Sequence, residues 1–363
     1  MIRTQKINAA QLTALLVLSR IYSIFSYSPS ISKNFDGSVL LLALPISFVL
    51  TCLIAVPCFY FTKNRTDLCL YQQLHTAFPK FGKAFGIFMG LVFLYICCET
   101  VSQFEYFMTT VAFPSKGNLI FLILLTVTAC YFALMGIEPI ARSCWILAFF
   151  VGASLVFLAL CLVRDIDLVN ICSPFLNGVK PVFSSACIIC FHNLELIALF
   201  SLLPNLNTDV KKTVLGYNLI SLIIFEIMDI LILCVLSDYA HTRTLPVFTL
   251  ANAASVSFMQ SMDAFYNSLW TFIALTRTSL YLFLAAKTFS LCLGWHYKKV
   301  SVPVCSISAA VLGILLAKYI ELFSFTYSLI ASGVFTAIIL LVLPTFAATA
   351  NTLQRIRQGR TEA

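Results

Sequence analysis

A chain of 363 residues that is 60% hydrophobic and only 10% charged does not have the make-up of a soluble domain, in which about a quarter of residues are charged. Its net charge of +8 is no nucleic-acid signature either, because the lysines and arginines are scattered through the connections between apolar runs. What remains is an all-α, polytopic membrane protein.

Ten apolar stretches come close to the roughly 20 residues with which a helix crosses about 30 Å of hydrocarbon. They are 10–29, 37–61, 83–112, 118–136, 141–163, 181–203, 214–237, 266–293, 300–318 and 326–348. Barrel strands are excluded because a run such as 39–60 is apolar on almost every side and does not alternate. The first span follows Arg3 and Lys6, as a signal peptide would. Arg20 interrupts it and no small-residue cleavage site follows, so it reads as a retained helix. Its second half is disturbed by Ser19-Arg20-Ile21-Tyr22-Ser23-Ile24-Phe25-Ser26-Tyr27-Ser28-Pro29. The connection 62–82 carries Leu68, Leu70, Leu74 and Phe78 at near-helical spacing, which predicts a short surface helix. The sixth span is disturbed in turn by Phe191-His192-Asn193-Leu194-Glu195. In the connection 239–265, Val247, Leu250, Ala254, Phe258, Met262 and Phe265 form one apolar stripe. That stripe predicts a helix on the outer bundle face or at the interface, with a partner contact as the alternative. After Pro344 the chain turns polar and basic, giving one transmembrane domain over 1–350 and a short cytoplasmic tail over 351–363.

Ten spans divide as five plus five, with repeats over about 10–163 and 181–348, and the two disturbed spans fall at matching positions. Interrupted polar helices at corresponding places in two halves mark the binding site of inverted-repeat transporters, where unwound backbone holds a small zwitterion near mid-membrane. An even number of spans puts both termini on one side. That side holds fourteen of the lysines and arginines in its segments, against six on the other, which predicts that both termini are cytoplasmic. The sequon Asn64-Arg65-Thr66 then faces the cytoplasm and is read as chance.

Ionisable groups within spans are costly and default to function; here they are Arg20, Glu99, Glu105, His192, Glu195, Glu226, Asp229, Arg277 and Lys287. An arginine could clamp a carboxylate, and a glutamate could hold an ammonium or a coupling proton. Alternatively, Arg20 or Arg277 pairs with Glu99 or Glu195 to neutralise buried charge. His192 and Glu195 share a helix face, fitting a proton-linked role or a bond at the helix break. Glu226 and Asp229 read as packing against a polar neighbour, and Lys287 as snorkelling. Most of the fourteen cysteines lie within spans and behave as small hydrophobes, so no disulfide framework is expected. Cys187 and Cys190 mimic a metal spacing, but no second pair accompanies them, and neither metal nor cofactor is expected. No phosphate loop, zinc motif or nucleophile elbow occurs, so the chain does not read as an enzyme.

Several segments together resemble one family. Met135-Gly136-Ile137-Glu138-Pro139-Ile140-Ala141-Arg142-Ser143 is similar to the start of its fifth helix, and Phe258-Met259-Gln260-Ser261-Met262-Asp263-Ala264-Phe265 with Trp270 to the segment before its eighth. The stretch from Gln11-Leu12 to Pro29 and Ser201-Leu202-Leu203-Pro204 also fit. The family is the spore-germination B-subunit permeases, a branch of the amino acid–polyamine–organocation transporters, and the resemblance spans about residues 8–348. It implies a ten-helix inverted-repeat bundle with helices one and six interrupted, in a spore inner membrane or bacterial cell membrane. It also implies a nutrient-sensing subunit beside germinant-receptor A and C subunits. The family's first helix usually has glycine near its break, whereas positions 20–28 here offer only serines as small residues. Helices one, three, six and eight surround the centre in such folds. The resemblance and the polar breaks therefore make Arg20, Tyr22, Ser23, Ser26, Glu99, Phe191, His192, Asn193, Glu195 and Arg277 the candidate ligand site, with an amino acid as the expected ligand. The other readings are a free-standing amino acid transporter, proton-coupled through Glu99, Glu105 or Glu195, and a structural subunit whose pocket has degenerated.

Overall fold

A computed structural model describes residues 6–26, 37–62, 68–77, 79–112, 119–171, 173–176, 178–207, 210–243, 245–254, 263–319, 334–342 and 345. Its helices are α1 (Ala9–Ser26), α2 (Gly37–Thr62), α3 (Leu70–Ala77), α4 (Pro79–Phe107), α5 (Leu119–Met135), α6 (Ile137–Leu162), α7 (Val179–Phe191), α8 (Glu195–Ser201), α9 (Val210–Leu231), α10 (Pro246–Ala253), α11 (Asp263–Leu293), α12 (Val302–Lys318) and α13 (Val334–Ala337). Among the described residues, seven apolar helical stretches are long enough to cross a membrane, and α1 and α5 supply two shorter ones. The predicted tenth span is described only at 334–342 and 345, and the tail 351–363, the sequon and Phe258 to Met262 lie outside the described residues.

The middle of the bundle is α1, which is buried around its whole circumference. Leu12, Leu15, Leu16, Leu18, Ile21 and Tyr22 point in every direction, yet all are fully buried. A helix that is apolar on every side belongs inside a bundle, and α1 packs on α6, α9 and α11. It starts on a reciprocal cap: Gln11 N–H donates to Asn8 Oδ1 (2.8 Å) and Asn8 N–H to Gln11 Oε1 (3.2 Å). Around it, α11 packs on α4, α4 on α12, and α2 on α7 and α9. The outer face of α6 exposes Trp145, Ile146, Phe149, Phe150 and Leu160, as a lipid-facing helix does. Close approach between α4 and α11 depends on glycine. A Cβ at Gly86 would overlap Cys292 Sγ, and one at Gly90 would lie 2.8 Å from Phe289. The α5–α6 corner needs Gly136, whose φ of 101° and extended ψ suit no side-chain-bearing residue. That requirement explains the glycine of the Gly136-Ile137-Glu138 segment.

The expected interruption of helix six is present: α7 ends at Phe191 and α8 begins at Glu195. The expected interruption of helix one does not occur over the described residues, because α1 continues as α-helix through Arg20 to Ser26. Its polar residues include neither glycine nor proline, and Arg20 meets its polar needs on another helix and does not unwind its own. The surface helix expected in 62–82 is α3, and the stripe in 239–265 is α10. Val247, Leu250 and Ala254 of that stripe are buried against the bundle, where α10 packs on α11 and α1.

Candidate functional site

The break in helix six leaves the last carbonyls of α7 without helical donors, and side chains from other helices supply them. Arg20 donates through Nη2 to the Ile189 carbonyl (2.9 Å) and through Nη1 to the His192 carbonyl (2.7 Å). Thr336 Oγ1 donates to the Phe191 carbonyl (2.6 Å). A guanidinium at a helix C-terminus satisfies orphan acceptors and matches the helix dipole. On the other side of the break, Tyr217 Oη donates to Asn193 Oδ1 (2.5 Å).

Four charged side chains converge beside this break. Arg277 of α11 donates through Nη1 to Glu195 Oε1 (2.8 Å) and to the Ser19 carbonyl (2.6 Å), and through Nε to Thr100 Oγ1 (3.2 Å). Ser19 Oγ donates to the same Glu195 oxygen (3.1 Å), and Arg20 Nη1 stands 3.8 Å from the other. Glu99 Oε2 is 4.0 Å from Arg277 Nη2. Glu195 is 1% exposed, Arg20 and Arg277 5% and Glu99 8%, so the group lies in a dry interior where an unpaired charge would be costly. Two positive and two negative charges cancel. Towards the start of α11 the group is roofed by rings. Tyr22 stacks on Trp270 (5.4 Å between centroids), as does Phe104 (5.4 Å), and Phe107 sits 4.2 Å away. The Arg277 guanidinium lies 5.6 Å from the Tyr22 ring centroid and 5.4 Å from that of Tyr281.

The structure thus gathers Arg20, Tyr22, Glu99, His192, Asn193, Glu195 and Arg277 at one place, and Phe191 joins them through its carbonyl. Ser23 and Ser26 lie on α1, with their side chains outside the described atoms. Glu105, Glu226 and Asp229 stand outside the network, and Lys287 bonds Asn205 Oδ1 (2.9 Å) at the far end of helix six. Sequence reasoning did not single out Ser19, Thr100, Tyr217 or Thr336. Ser19 and Thr100 adjoin named charges, and that adjacency was the available signal. Tyr217 and Thr336 carry none. No group of three metal-ligating side chains occurs among the described residues.

Residues 6–321 match the family described as "Spore germination protein". No curated protein matches the chain. The fold is similar to that of MhsT, solved in complex with L-phenylalanine, with a TM-score of 0.71 and 17% identity over 94% of this chain and 89% of that one. It is also similar to Mhp1, a nucleobase-cation-symport-1 family transporter in a closed conformation with bromovinylhydantoin bound (TM-score 0.60, 12% identity, 93% and 78% covered). A mutant manganese transporter of Eremococcus coleocola follows (TM-score 0.51, 12% identity, 94% and 75% covered). At these identities the likeness establishes the fold, an all-helical membrane bundle of inverted-repeat architecture.

Proposed function

Because the chain belongs to the spore germination protein family, we propose that it is the membrane-embedded, permease-like subunit of a germinant receptor and binds a small nutrient, an amino acid, near mid-membrane. The observation that carries this reading is the buried charged group set against the break of helix six. Unwound backbone at membrane depth is tolerated only where it is buried in protein or lines a cavity, and polar groups placed there are the usual means of holding a polar ligand. In this reading the repeats run over about 10–163 and 181–348, both termini face the cytoplasm, and A- and C-type receptor subunits are the partners. Arg20, Tyr22, Ser23, Ser26, Glu99, Phe191, His192, Asn193, Glu195 and Arg277 form or support the site. The purified protein should be stabilised against heat by one or more amino acids, and spores lacking the gene should lose germination in response to the same ones. Lack of stabilisation across all twenty would favour a structural subunit with a degenerate pocket. A free-standing transporter is the second reading, favoured by the fold shared with the transporter Mhp1. Uptake of labelled amino acid into vesicles, lost with Glu195→Gln, would support it.

A further inference from the structure

This inference rests on the ligand-binding reading and concerns which end of the ligand the site recognises. The hydrogen-bonding capacity of the charged group is unevenly used. Arg20 is engaged by the carbonyls of Ile189 and His192 and stands against Glu195. Arg277 is engaged by Glu195, the Ser19 carbonyl and Thr100, and among the described residues its remaining Nη2 has Glu99 as its partner, 4.0 Å away. A ligand carboxylate reaching Nη2 would meet the like charge of Glu99. Reaching any other guanidinium nitrogen would mean displacing charge-assisted bonds that hold helices α1, α7, α8 and α11 together. Glu99 is in the opposite condition. It is 8% exposed, accepts no hydrogen bond among the described residues, and its one ion pair is stretched to 4.0 Å. Thr100, the next residue, bonds Tyr22 (3.0 Å), whose ring opens the aromatic roof of Trp270 and Phe104. A carboxylate that accepts no hydrogen bond among the described residues suits a cation.

We propose that the central site recognises its ligand by a protonated amino group set on Glu99, and that neither buried arginine clamps a ligand carboxylate. The site therefore takes amines as well as amino acids and discriminates against deaminated acids.

The test uses the full-length protein in detergent or nanodiscs. The twenty amino acids are screened first by thermal shift. For each one that binds, calorimetry compares the amino acid with its decarboxylated amine and its deaminated acid. The amine should bind within about tenfold of the amino acid and the acid about tenfold or more weaker, the worth of one charge-assisted bond. Glu99→Gln should abolish that preference, and the ranking on wild type stands even if this variant fails to fold. An acid that binds as tightly as its amino acid, or a ranking unchanged in a folded Glu99→Gln protein, would overturn the proposal while leaving the ligand-binding reading intact. Absence of any binder would overturn both.

Discussion

Arg277 shows how one side chain can belong to a site and to the fold at once. It ties α11 to the Ser19 carbonyl of α1, to Thr100 of α4 and to Glu195 of α8. Replacing it with alanine leaves Glu195, 1% exposed, without its closest cation. Removing one partner of a buried pair costs about 3–5 kcal/mol, whereas replacing both with neutral groups often costs little. Arg277→Ala should therefore lower the unfolding midpoint steeply, and Arg277→Ala with Glu195→Gln should recover much of the loss. Thermal unfolding of the three proteins in one detergent decides the matter. If the double variant is no better than the single, Glu195 is not the group that needs Arg277. A loss of nutrient affinity in Arg277→Ala alone would thus not place the guanidinium on the ligand. Tyr217→Phe is a milder probe: it deprives Asn193 of one buried donor and should cost about 1 kcal/mol.

At the scale of elements, the two disturbed spans look alike in sequence but fold differently. Phe191-His192-Asn193-Leu194-Glu195 does break helix six, and its local polarity announces as much. Ser19-Arg20 with the serines after it does not break α1 before Ser26, because the arginine finds its acceptors 169 and 172 residues away, at the end of α7. No local pattern carries that information. Most spans, α3 and α10 were legible because apolar periodicity is a local property, and the polar core was legible because charges within spans are rare. The pairing inside the core was not, since which arginine meets which glutamate depends on packing between distant helices. Gly86 and Gly90 lie between these cases: their four-residue spacing is visible in the sequence, and its meaning appears only in the approach of α11. Small residues at such spacing let membrane helices pack closely. Gly86→Leu should push α4 from Cys292 and Tyr71 and cost about 1–3 kcal/mol or more, seen as a lower unfolding midpoint, whereas Gly152→Leu, where a Cβ meets nothing within 4 Å, should change little. Equal effects at the two glycines would dismiss the packing role of Gly86.

Across the whole molecule the charged group is enclosed at both ends. On one side Tyr22, Phe104, Phe107, Tyr266, Trp270 and Phe248 of α10 form a continuous aromatic layer. On the other, the segment before α1 is pinned to the end of helix six: Ile7 N–H donates to the Asn205 carbonyl (2.8 Å) and Asn207 N–H to that of Ile7 (3.1 Å). Lys287 of α11 holds the same Asn205 by its side chain (2.9 Å). Residues 6–8 and 205–207 therefore share one face of the bundle, the cytoplasmic face in the proposed orientation. Lys287→Met keeps the apolar stem but removes the bond, worth about 1.5–3 kcal/mol for a charged donor, and should let this end open about tenfold more often or better. Cys69, 6% exposed just ahead of α3, reports on that opening. In inverted membrane vesicles a membrane-impermeant thiol reagent should label Cys69 faster in Lys287→Met than in wild type, and in right-side-out vesicles it should label neither. Unchanged labelling in inverted vesicles would mean that Lys287 does not hold the closure, and labelling from the right-side-out face would mean that the bundle sits in the membrane the other way up.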